Sequence, residues 1–70
     1  MKTIDKIKHY LGEQISNDIL GLNLEQAKKM LSECYLDLKF LEMQPETFAD
    51  KNALIFTRKN EIELLEYLTN

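Results

Sequence analysis

The sequence predicts an all-α domain, and three observations lead there. Twelve leucines stand beside no valine, two glycines and one proline, a composition rich in helix formers and poor in strand formers. Leu24, Ala27, Leu31, Cys34, Leu38 and Leu41 recur at steps of three and four residues, the spacing that lines one face of a helix. Pro45 is the one proline, and it falls just after that repeat ends. The expectation is a single domain over residues 1–70 with three principal helices, at about 3–20, 23–43 and 47–69, the last broken near Asn60. The first two are expected to form a helical hairpin, with the carboxyl-terminal segment folded back across it.

Thr3 can cap the first helix, whose apolar positions are Ile4, Ile7, Leu11, Ile15 and Ile19 with Tyr10 beside them. Gly12 lies inside it. A glycine there disfavours the helix by about 1 kcal/mol against alanine, so either a neighbouring backbone approaches closely or the helix weakens at that point. Gly21 is placed to end the element in the left-handed conformation that closes the last carbonyls.

Asn23 opens the second helix. Gln26, three residues later, completes an approximate capping box, and Leu22 is placed as an apolar staple towards Ala27. Besides its main stripe this helix carries a second apolar arc, Leu36, Phe40 and Met43, well over 90° away around the axis. Its carboxyl half is therefore apolar on two sides, and a two-helix hairpin covers only one. Gln44 and Pro45 stop it.

In the third segment a straight helix from Phe48 to Leu68 would set Lys51 and Arg58 in the arc made by Phe48, Ile55, Ile62 and Leu65. A break near Asn60 removes that conflict, because Asn60 with Glu63 reads as a capping box and Ile62, Leu65 and Leu68 make a short apolar face. The run 53–57 reads as helix or as a short strand; helix is favoured because the chain offers no other strand to pair with.

Seventy residues bury only about 60% of the surface that the unfolded chain exposes. The usual staples of small domains are missing from the pattern: Cys34 is the one cysteine, and no Cys/His spacing suits zinc. Association with a second copy or another protein is the remaining route to further burial. Nine basic against twelve acidic residues give a net charge of −3, and Arg58 is the sole arginine, which argues against nucleic acid as a partner. No apolar run has signal-peptide or membrane-span length, so a cytoplasmic protein is expected. Scarce arginine, valine and tryptophan beside abundant lysine, isoleucine and asparagine match an AT-rich coding genome, as in a low-GC bacterium or its phages.

Catalysis is not expected. His9 stands between Lys8 and Tyr10 without the ligand pattern of a metal site, and Cys34 lies in the main stripe, where free cysteine behaves as a small hydrophobe. Glu61 with Glu63, and Glu42 with Glu46, lack the dry cleft that catalytic carboxylates require. No phosphate loop or nucleophile elbow occurs, and no cofactor, metal or small-molecule substrate is indicated. The expected function is a small protein–protein interaction module, regulator or adaptor, self-associating as a homodimer or binding a protein partner through Leu36, Phe40, Met43, Phe56 and Tyr67. The competing reading of the arc is ordinary core, covered by the segment after Pro45 through Phe48 and Phe56. The alternative function is a DNA-binding regulator: residues 15–31 loosely resemble a helix-turn-helix, with Gly21 at the turn, Ala27 and Met30 facing inward, and Lys28 and Lys29 towards the groove.

Overall fold

The computed structural model describes residues 4–70. Among these residues there are four α-helices and no strand: α1 (Ile4–Leu11), α2 (Glu13–Leu20), α3 (Leu24–Glu42) and α4 (Lys51–Thr69). The all-α class is thus as predicted, and 53–57 is helical. The proposed cap at Thr3 lies outside the described residues.

The first predicted helix is two helices, because the chain breaks at Gly12. Its φ of +89° and ψ of 159° lie outside helical space, in a region that L side chains rarely adopt. A Cβ built there would meet nothing within 4 Å. Backbone conformation, not close approach of a neighbour, is therefore the reason for glycine. The two helical ladders meet at this residue: the Gly12 amide closes α1 by donating to Lys8 O at 2.9 Å, and Gly12 O opens α2 by accepting from the Ser16 amide at 3.1 Å. The joint turns the inward face. Ile7, Leu11 and Ile19 are buried as predicted, but Ile15 is 40% exposed and Ser16, at 0%, takes the inward place. The Ser16 hydroxyl makes a long bond, 3.4 Å, to the Lys8 carbonyl.

Gly21 adopts φ −82°, ψ −4°, right-handed rather than the left-handed geometry expected. Its amide donates to Asn17 O at 3.0 Å and that of Leu22 to Ile19 O at 3.1 Å, which closes the last turn of α2 without a left-handed residue. The capping box that follows is present in full: Gln26 N donates to Asn23 Oδ1 at 2.8 Å, and Asn23 N to Gln26 Oε1 at 3.1 Å.

The main pairing differs from the expected hairpin. α3 packs chiefly against α4, and α1 and α2 also pack on α4, so α4 is the central helix. Asn60, Glu61, Ile62, Leu64 and Leu65 are all buried. So dense a run on one helix requires neighbours on more than one side. The core joins Ile62, Leu64 and Leu65 of this run to Ile7, Leu11, Ile19, Ala27 and Cys34, with Leu31 and Leu38 packed at its edge.

α4 begins at Lys51, after Asp50 in the left-handed conformation (φ 58°), and runs unbroken to Thr69. The break predicted at Asn60 is absent. Instead of capping, the Asn60 side chain donates from Nδ2 to Phe56 O at 2.8 Å within the continuous helix. The seam charges that argued for a break have partners. Arg58 bonds Glu61, and Lys51 Nζ reaches Gln44 O at 2.7 Å and Glu46 Oε1 at 3.3 Å in the α3–α4 connection. A cation whose donors are engaged can line an apolar seam with its alkyl stem packed there.

Candidate docking surface

α3 is amphipathic twice over, and α4 takes only one of its two apolar faces. Ala27, Cys34 and Leu41 form the buried face. Leu36, Phe40 and Met43, on the opposite side of the helix by 100° spacing, are 69%, 59% and 76% exposed. The segment after Pro45 does not cover them. Phe48 is itself 37% exposed, and Phe56 stands edge-to-face against Tyr10 of α1, with centroids 5.1 Å apart.

Two cross-links fix the rotation of α3 against α4 and so hold this arc outward. The Tyr35 hydroxyl donates to the Glu66 carboxylate on one flank. On the other, Arg58 Nε lies 3.5 Å from Asp37 Oδ2. That contact is an ion pair without an aligned hydrogen bond, so Nε has no hydrogen-bond partner. The bond to Glu66 is the main cause holding the Tyr35 phenol above its ordinary titration range.

The five residues predicted to bind a partner are all exposed, with Phe56 at 47% and Tyr67 at 61%. They do not make one patch. Leu36, Phe40 and Met43 share the outer face of α3, whereas Phe56 and Tyr67, eleven residues apart on one stripe of α4, lie on the flank where Phe56 meets α1. The coherent surface is the α3 triplet.

The other sequence candidates fall elsewhere. Cys34 is buried on the α3–α4 seam, close to Glu61, Arg58 and Asp37. Burial, and then the Glu61 carboxylate, push its thiol above the ordinary range, which keeps it protonated and a poor nucleophile. Glu61 is buried against Arg58 and Glu63 is half-buried, while Glu42 and Glu46 are exposed. Of the helix-turn-helix residues, Ala27 is buried, Met30 half-buried, and Lys28 and Lys29 exposed, with exposed Glu25 and Glu33 on either side in sequence.

One feature escaped the sequence reading. Asp5, Lys8, His9, Gly12, Glu13 and Asn17 line an open groove of about 570 Å³ at the α1–α2 break. The signal was present, since Asp5, His9, Glu13 and Asn17 are spaced by four. No three His, Cys, Asp or Glu side chains among the described residues are grouped so as to hold a metal ion. No helix among them is long and apolar enough to cross a membrane. Comparison with protein-family models, curated proteins and solved structures finds no match to this chain.

Proposed function

We propose that this protein is a small protein–protein interaction module, a regulator or adaptor, that docks through the outer face of α3. The observation that carries the reading is the exposure of Leu36, Phe40 and Met43 on a helix whose opposite face is already buried. Three large apolar side chains grouped over two turns differ from apolar residues scattered singly on a surface. Burying each would contribute on the order of 1.5–3 kcal/mol. Methionine beside phenylalanine gives a surface that adapts to its partner. The occupant is a second copy of the chain or another protein.

The test compares the chain with its Phe40→Asp variant, both shown by circular dichroism to be folded, as baits on a resin and by sedimentation at rising concentration. Loss of a retained protein, or of self-association, in the variant supports the module. Identical retention and identical mass for the two baits overturn it, as does salt-sensitive retention of both on heparin without any protein partner.

A further inference from the structure

The break at Gly12 separates two arrangements of one segment that differ in a single inward position. At 100° per residue, a straight helix over residues 4–20 sets Ile4, Ile7, Leu11, Ile15 and Ile19 along one stripe, with Ser16 beyond its edge. In the structure the backbone leaves helical space at Gly12, and the inward face of α2 shifts by one residue. Ile7, Leu11 and Ile19 are inward in both arrangements. Only Ile15 and Ser16 exchange places.

The bent arrangement is poorly satisfied where they exchange. Ser16 is fully enclosed, and the bond that its hydroxyl makes among the described residues is the long one to Lys8 O, a carbonyl that the Gly12 amide already occupies. Ile15 meanwhile keeps 40% of its surface in water. α2 also starts without a side-chain cap, so its first amides lack the carbonyl partners that a continuous helix supplies from residues 9–11. On the other side stand the packing of α2 on α4 and the unfavourable glycine within a straight helix.

From this opposition we infer that residues 4–20 form a two-state joint. The bent form is the ground state, and a straight helix with Ile15 inward and Ser16 in water is a minor state in exchange with it. Gly12 is the hinge, because without a Cβ it takes φ +89° in one form and a helical φ in the other. The surface changes with it. The groove lined by Lys8, His9, Gly12 and Glu13 needs a bent axis, whereas on a straight helix His9 and Glu13 stand in an outward row. The joint thus opens and closes this groove, independently of the outer face of α3.

The test is relaxation dispersion by nuclear magnetic resonance on the full chain, isotopically labelled at its amides, carbons and isoleucine methyls. Exchange on the microsecond to millisecond timescale is expected at residues 12–17 and at the Ile15 methyls, with Leu36, Phe40 and Met43 quiet. Ser16→Ala relieves the enclosed hydroxyl of the bent form, and Ile15→Gln disfavours the straight one. Each should lower the minor population by about threefold or more. Gly12→Ala should act in reverse and bring residues 12–17 to the shifts that the parent's minor state reports. A parent without exchange there overturns the inference, as does a Gly12→Ala chain that keeps the parent's shifts, or exchange that neither Ser16→Ala nor Ile15→Gln alters. Should Gly12→Ala not fold, the carbon shifts of the parent's minor state decide. Helical values at Gly12 support the straight form, and values of an unfolded segment replace it with local fraying and overturn the joint.

Discussion

Arg58 and Glu61 lie one turn apart on α4 and form an ion pair on the α3–α4 seam, with Nη1 2.5 Å from Oε1. Glu61 is 6% exposed, so its carboxylate has exchanged water for this guanidinium. The hydrogen bond to Glu61 is also the main reason that the guanidinium is held above even its usual high range. Arg58→Ala would leave a buried charge uncompensated. It should lower stability by about 2–3 kcal/mol, below the upper range for fully buried pairs because Arg58 is partly solvated. Arg58→Met/Glu61→Leu should recover most of that loss, since an apolar pair of similar size leaves no charge behind. Urea denaturation of the two single variants and the double variant gives the coupling directly.

The two glycines should respond oppositely to alanine. At Gly12 an L residue must take φ +89° or straighten the joint, and straightening would return Ile15 to the position that Ser16 holds. Gly12→Ala should therefore destabilise the chain by about 1–2 kcal/mol. Gly21 is right-handed, and its added Cβ would meet Asn17 O at an ordinary 3.4 Å. Gly21→Ala should be neutral or stabilise by up to about 1 kcal/mol, through the reduced freedom of the unfolded chain. Equal losses at both positions would count against the assigned backbone at Gly12.

Cys34 gives stability a pH dependence at the alkaline end. Its thiol ordinarily titrates near 9.0 and is held higher in the fold by burial and by Glu61. The folded state thus retains a proton that the unfolded state gives up. The associated stability is fully present below pH 9.0 and is lost as pH rises through the raised folded value. Tyr35 acts with the same sign above 10.0, because its hydroxyl is held protonated by Glu66. Cys34→Ala should flatten the earlier part of the alkaline decline and Tyr35→Phe the later part. In the native chain the thiol should stay unreactive to a thiol reagent until denaturant is added.

What could be read from sequence divides along local and non-local interactions. The Asn23–Gln26 capping box needs only residues three apart, and the stripe of Ala27, Cys34 and Leu41 needs only one helix period; both stand in the structure. The arc of Leu36, Phe40 and Met43 was legible for the same reason, but its exposure was not, because that depends on where Phe48 and Phe56 pack after Pro45. Ser16 replacing Ile15 was not, because it follows from a left-handed backbone at Gly12 that propensity registers only as weakness. The centrality of α4 was hidden by Arg58, Asn60 and Glu61. Polar residues read as exposed until partners such as Asp37 and the Phe56 carbonyl are in place, and Asp37 comes from another helix.

Phe40 and Leu64 separate surface from core most sharply. Leu64 is 0% exposed within the central helix, and Phe40 is 59% exposed on the outer face of α3. Leu64→Ala deletes buried methyl groups and leaves a cavity, so it should destabilise the chain by about 2–5 kcal/mol. Phe40→Ser removes a side chain that the fold leaves largely in water, and stability should stay within about 0.5 kcal/mol of the parent. A fluorescent dye that lights up on accessible apolar surface should bind the parent and lose intensity with Phe40→Ser, while the thermal midpoint is unchanged. A drop in midpoint as large as that of Leu64→Ala would place Phe40 among the residues that hold the fold together, and the outer face of α3 would then have no surface to offer a partner.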